Sequence, residues 1–127
     1  MKRRRSQGAR DFPRMARVDK LLREILGEEL ERLDDDRLDL VTVTAVTCDR
    51  DLRRATVYYD NLRGAEADEE LLAALAELRP RLQAAVNRQA RLKCTPELRF
   101  EPDLAVRSAD RIEQVLRELH QPGDDDA

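Results

Sequence analysis

Aromatic residues make up only 3% of the 127-residue chain: two Tyr, two Phe and no Trp. A core without them must be assembled from Leu, Val, Ile and Ala, and recognition cannot depend on a broad platform of stacked rings. Long apolar runs are also missing. Leu71 to Ala76, six residues, is the longest, against roughly 18 to 20 needed to span a bilayer. No apolar stretch follows the basic start Lys2-Arg3-Arg4-Arg5, so no signal peptide is expected, a cytoplasmic location is, and no membrane partner is. With two distant cysteines, Cys48 and Cys94, and one His120, the chain shows no ligand spacing for a structural metal. Four glycines, Gly8, Gly27, Gly64 and Gly123, form no phosphate-cradling loop. No Ser or Cys near His120 makes a nucleophile motif. Neither a cofactor, a metal nor an enzymatic activity is expected.

Charge is abundant, at 40% Asp, Glu, Lys and Arg. The net value of −3 conceals segregation: +7 over residues 1–23, −6 over 24–39, −4 over 40–78, +5 over 79–99 and −5 over 101–127. Clustered cations in a chain of acidic balance attract a polyanion locally, with little steering of the whole molecule.

Residues 1–13 hold almost nothing apolar and predict a disordered basic arm, and the acidic residues 121–127 a disordered tail. Between them, residues 14–120 form one domain, too short for two cores. From Arg14 to Leu33 the three-and-four spacing of Met15, Val18, Leu21, Leu22, Ile25, Leu26, Leu30 and Leu33 predicts an amphipathic helix. Val41, Val43 and Ala45 alternate with Thr42 and Thr44 as a strand, and Val46 and Cys48 then switch parity, which predicts a bulge near Ala45 or burial on both faces. Asp49-Arg50-Asp51 turns the chain into a second alternating run, Arg54 to Asp60, for an antiparallel hairpin. Its Tyr59 belongs in the core and Tyr58 on the surface.

Leu71, Leu72, Leu75 and Leu78 give a further helix, expected to stop at Leu78 because Pro80 disfavours helical geometry at Arg79. A kink at Leu78-Arg79-Pro80 then leads to a separate helix with Leu82, Ala85, Val86 and Gln89 inside. A strand ending at Phe100 starts after Pro96 or breaks there, and its place against the hairpin is open. Ser108 would cap a last helix with Ile112, Val115, Leu116 and Leu119 on one side. The fold class is α+β, in the order α-β-β-α-kink-α-β plus a C-terminal helix. Helices pack on one face of a three-stranded sheet.

Five cations, Arg79, Arg81, Arg88, Arg91 and Lys93, fall within fifteen residues without an acid among them. Arg81 and Arg88, seven apart, lie on one helix side, with the small Ala84 and Ala85 between them, and suit contacts to RNA phosphates. Arg3, Arg4 and Arg5 in the arm are further RNA-binding candidates. Two other readings compete. The bent helix pair suits a helix-turn-helix DNA-binding regulator, and the arginines suit the acidic surface of a partner in a protein-protein adaptor.

Several stretches resemble the ribosome-binding factor A family over residues 14–117: Arg37-Leu38, Val41 to Val46, Asp51-Leu52, Ala55 to Tyr58, Leu92 to Phe100, Asp103 and Arg111-Ile112. The resemblance implies a type II KH domain. It also implies a non-catalytic assembly factor for the immature small (30S) ribosomal subunit, one that binds 16S rRNA and its precursor. Such a factor assists late maturation and pre-rRNA end processing, matters most in the cold, acts as a monomer and has a ribosome-assembly GTPase as a partner. Two departures stand out. The family's Asp-Pro-Arg-Leu is Asp35-Asp36-Arg37-Leu38, so the acidic run must end the first helix. Its Ala-x-Gly is Leu78-Arg79-Pro80, where the backbone cannot approach phosphate as a glycine loop does, although proline would preserve the bend.

Overall fold

The computed structural model describes residues 2–120 apart from Lys93, with side chains described from Arg14 onward. Three helices and three strands follow in the order α1 (Lys2–Leu33), β1 (Val41–Cys48), β2 (Arg54–Asn61), α2 (Asp68–Ala90), β3 (Glu97–Pro102) and α3 (Leu104–Leu119). Single 3₁₀ turns, Asp36–Leu38 and Ala65–Ala67, precede β1 and α2. The backbone of α1 runs back to Lys2, through Pro13 and the segment expected to be a disordered arm. The arginines, Gln7 and Ala9 there are good helix formers, and local propensity extends the element without an apolar stripe. The tail 121–127 lies outside the described residues.

Strand order is β1-β2-β3. β1 and β2 pair antiparallel, as the hairpin reading expected, and β3 adds to the other side of β2 in parallel, opposing Ala55 with Leu98 and Thr56 with Arg99. The expected bulge is present. Val43 opposes Tyr59 and Ala45 opposes Tyr58, leaving Thr44 as the extra residue. That insertion resolves the parity switch, because Val43 before it and Val46 after it both reach the core side. The Thr44 hydroxyl is not left idle: it donates to Asp103 Oδ2 at 2.5 Å.

α1 and α2 cover one sheet face. Leu22, Ile25 and Leu26 from α1, Val46, Val57 and Leu98 from the sheet, and Leu71, Leu75, Leu82 and Val86 from α2 make the core. It is aliphatic as expected, with Tyr59 as the single fully buried aromatic residue among those described. Tyr58 is half-buried on the outer face.

The helix pair around Pro80 is corrected. α2 is one helix from Asp68 to Ala90 with Pro80 inside it. Proline removes one N–H from the ladder at a position on the solvent side, while Leu78 and Leu82 on either side are buried in the same core. Packing of one continuous stripe therefore overrides the local preference to stop. With no turn between two helices, the helix-turn-helix reading has no structural basis. Gln89, expected inside, is exposed, while Ala90 after it still packs against the edge of the core.

One further boundary differs, and one of the two readings at Pro96 holds. α3 begins at Leu104, capped by Asp103, whose Oδ1 accepts from the Val106 N–H at 3.0 Å; Ser108 lies within the helix. β3 starts at Glu97, after Pro96. It is clipped to α2 by Gln83, whose amide donates to the Pro96 carbonyl and accepts from the Leu98 N–H at 3.3 Å.

The end of α1 shows how the chain manages without the family's proline. Asp34 takes a left-handed φ of 48°. Asp35 then caps the following turn, accepting from the Arg37 N–H at 2.9 Å and from its guanidinium at 3.0 and 2.7 Å. Those bonds to Arg37 pull the Asp35 carboxyl down to about 2. Arg37 also reaches Glu77 Oε2 at 2.7 Å, tying this corner to α2.

The two cysteines differ sharply. Cys94 is exposed, whereas Cys48 is buried. Burial first, and then the nearby Asp19, push the Cys48 thiol up to about 12. Asp19 also accepts from the Cys48 N–H at 3.0 Å, which pins α1 to the end of β1.

Because Leu82 is fully buried where α2 passes its proline, Leu82→Ala should cost about 2–5 kcal/mol. Arg81→Ala, one residue away and exposed, should change stability by less than about 0.5 kcal/mol. Urea unfolding of the two variants measures the contrast.

Candidate nucleic-acid interface

The core stripe of α2 determines where its cations point. With Leu71, Leu75, Leu78, Leu82 and Val86 turned inward, Arg81 and Arg88 project from one flank, separated by only about 20° around the axis and about 10 Å along it. Both are exposed, and neither bonds a carboxylate among the described residues. Ala84 is exposed between them; Ala85, expected beside it, is buried in the core.

The same flank carries Glu70 and Glu77, about three turns and one turn before Arg81, but these acids are already occupied. Glu70 pairs with Arg63 at 2.9 Å and Glu77 with Arg37 at 2.7 Å. Among the described residues, the positive charge of Arg81 and Arg88 is thus left without a local counter-charge. It lies toward the carbonyl end of the helix, where cations are favoured.

The five clustered cations do not form one row. Arg79 is about 160° around the helix from Arg81, on the flank facing β3, where it approaches Glu97 at 3.7 Å while remaining half exposed. Arg91, exposed, closes α2 in a left-handed conformation with φ 51° and ψ 42°. Lys93 lies outside the described residues, as do the side chains of Arg3, Arg4 and Arg5. Leu78, Arg79 and Pro80, the expected kink residues, instead continue the helix, with Leu78 buried and the other two exposed. Arg99 is an exposed cation that the linear pattern did not single out. It stands on the outer sheet face opposite Thr56, and strand alternation alone would have placed it there.

Acidic residues gather elsewhere. A cleft of about 460 Å³ between the end of α1 and β1 is lined by Glu31, Asp34, Asp35 and Asp39, which disfavours a polyanion on that side. No cluster of ligating side chains with metal geometry occurs among the described residues, and no helix there is long and apolar enough to cross a membrane.

A second polar centre fixes α3, and it was not legible beforehand. Arg107 donates to Asp68 Oδ2 and Oδ1 at 2.5 and 2.8 Å and to Asp60 Oδ1 at 3.2 Å. Its guanidinium carbon lies 5.8 Å from the centre of the Tyr59 ring, within range of a cation–π attraction. Asp68 also accepts from the Tyr59 hydroxyl and the Asn61 amide, each at 3.1 Å. The bonds from Arg107 hold the Asp68 carboxyl below the usual carboxylate range against the opposing effect of burial. The Tyr59 hydroxyl is pushed up to about 12, by burial and then by Asp68.

A three-stranded sheet of mixed direction, two helices on one face and a third clamped at its base make this a small α+β protein of the KH-like fold. The chain belongs to the ribosome-binding factor A family, whose sequence pattern matches residues 14–116. It is 46% identical over 107 residues to Ribosome-binding factor A of Rubrobacter xylanophilus, covering 84% of this chain and 87% of that protein. The corresponding protein of Geobacter sulfurreducens is 32% identical over 117 residues, covering 91% and 99%. The crystal structure of ribosome-binding factor A from Thermus thermophilus superposes with a TM-score of 0.64 at 36% identity, over 69% of this chain and 94% of that one. A homology model of the protein from the same organism, fitted into a cryo-electron microscopy map of a 30S complex, gives 0.54 at 38% identity, over 64% and 86%.

Removing the Arg107 side chain would leave Asp68 and Asp60 facing each other without a cation. Arg107→Ala should cost about 1–3 kcal/mol at neutral pH. Asp68 has a depressed folded pKa. Its contribution is therefore complete above the ordinary carboxylate range near 4 and is lost as pH falls through the lower folded value. Urea unfolding at several pH values should show the gap between wild type and Arg107→Ala narrowing below about pH 4.

Proposed function

We propose that this chain is a non-catalytic assembly factor that binds the immature small ribosomal subunit through 16S rRNA and its precursor. The observation that carries this reading is the exposed pair Arg81 and Arg88, which pairs with no carboxylate among the described residues. Membership of a family with a relative fitted into the map of a 30S complex supports it. Each guanidinium presents a fork of donors to phosphate oxygens, and a rigid α2 holds the two at a fixed spacing. Arg91, Lys93 and the arm residues Arg3, Arg4 and Arg5 extend the contact, and Arg79 adds one from the opposite flank. Stacking is a minor part of it, since Tyr59 is buried and Tyr58 half covered.

Binding of this kind favours one arrangement of the RNA over its competitors, with no bond made or broken by the protein. The factor assists late maturation and processing of the precursor ends, acts in the cytoplasm as one copy per subunit, and is displaced by a ribosome-assembly GTPase or by completed folding. Its effect is largest in the cold, when misfolded RNA escapes slowly.

Reversing both arginines, Arg81→Glu with Arg88→Glu, should abolish co-sedimentation with small subunits on a sucrose gradient while the melting temperature shifts by no more than about 5 °C. Neutral versions with Ala should lower the salt dependence of RNA binding by roughly 1.5 in the log–log slope. Co-sedimentation that survives the reversal would remove this surface from the interface. Association that survives ribonuclease would point to a protein partner instead.

A further inference from the structure

β1 is an edge strand, since the sheet order is β1-β2-β3. Its free side is closed at one end and open at the other. At the closed end Asp19 of α1 accepts from the Cys48 N–H at 3.0 Å, and the bulge at Thr44 turns the strand beyond Val43. At the open end the Leu62 N–H donates to the Leu40 carbonyl at 3.2 Å. Alternation then points the backbone of Thr42 at Asp60 and turns the N–H and C=O of both Val41 and Val43 away from β2. No group among the described residues bonds those outward positions.

The open edge forms one wall of the cleft of about 460 Å³ between the end of α1 and β1, a volume in the range that ligand sites occupy, about 300–1,000 Å³. Leu30 and Leu38 line it, and the opposite wall carries Gly27 of α1. Gly27 lies inside a helix, where glycine is less favourable than alanine, and a Cβ built on it would meet no atom within 4 Å. The fold itself therefore gives no reason for a glycine. A second backbone lying in the cleft would, because the missing side chain lets it come close to α1.

Charge on the rim selects the occupant. Glu31, Asp34 and Asp39 are exposed there and pair with no cation among the described residues, whereas Asp35 is engaged by Arg37. Carboxylates beside an open edge repel a nucleic acid, and equally this chain's own acidic end, Asp124-Asp125-Asp126. They favour a cationic strand.

We propose that the cleft takes an extended, arginine- and lysine-rich segment of a partner protein, which adds to the free edge of β1 as a fourth strand. Main-chain bonds to Val41 and Val43 hold the segment. Its side chains on the α1 side lay their aliphatic stems over Leu30 and Leu38 and their cationic ends among Glu31, Asp34 and Asp39. The bulge limits the pairing to about five residues, roughly 17 Å of strand. This contact uses α1 and β1 and is separate from the RNA contact proposed for Arg81 and Arg88, so either can fail alone.

A synthetic peptide, acetyl-Thr-Arg-Thr-Lys-Thr-Arg-Thr-amide, titrated into the full chain and followed by NMR amide shifts, tests the proposal. The Val41 and Val43 amides should shift, with a dissociation constant of about 10–300 µM at low salt. Replacing the peptide's cations by Glu should weaken binding at least about tenfold, and so should N-methylation of alternate peptide bonds, which removes strand pairing and keeps the charge. In the protein, Gly27→Leu should keep or raise the melting temperature and lower affinity about tenfold by filling the cleft. Glu31→Gln with Asp34→Asn and Asp39→Asn should lower it about tenfold with the fold unchanged. Absence of shifts at Val41 and Val43 with about 1 mM peptide overturns the proposal. So does unweakened binding of the N-methylated peptide, or of the parent peptide to either protein variant. A single-stranded RNA that shifts the same two amides would also overturn it and assign the cleft to nucleic acid.

Discussion

The inward stripe of α2 is the constraint on which the remaining arrangement rests. Leu71, Leu75, Leu78, Leu82 and Val86 meet the sheet and α1 along one line, and a helix fixed on one side has no freedom on the others. Burying about five such side chains, each worth roughly 1.5–3 kcal/mol, outweighs the roughly 3 kcal/mol cost of a proline within a helix. The same stripe sends Arg81 and Arg88 outward together and turns Arg79 toward β3. The packing and the directions of these cations are thus set by one rotation of one helix.

Electrostatics on the surface follow a second pattern, in which acids near the cation pair are already spoken for. Arg63 takes Glu70 and Arg37 takes Glu77. Exposed pairs of this type add little stability. Their effect is on the local field, since an unengaged Glu77 one turn from Arg81 would offset its attraction for phosphate. Arg37 is also the residue that lets Asp35 end the α1 corner without proline, so one guanidinium serves both the turn and the field beside α2.

Local patterns carried much of the architecture. Parity along Val41 to Cys48 pointed to a bulge near Ala45 or burial on both faces, and the structure settles on a bulge at Thr44; alternation put Tyr59 inside, and leucine spacing found the core of α1 and α2. What failed did so where distant partners decide. Pro80 reads as a stop because its neighbours in sequence say so, whereas the core beneath Leu78 and Leu82 holds the helix together. Asp103 caps α3 instead of Ser108 because Thr44, 59 residues earlier, also needs it. Arg107 finds its carboxylates 39 and 47 positions away, beyond any local periodicity. On the cation face, the seven-residue spacing of Arg81 and Arg88 was readable, but separating Arg79 from them required knowing that the helix continues.

The inequality between the two thiols has a practical side. Cys48 is shut inside with its proton held tightly, while Cys94 opens to solvent three residues beyond Arg91. At neutral pH a maleimide dye would therefore attach at a single native position next to the cation cluster, without any engineered handle. A dye there would report directly on whether that part of the surface becomes covered.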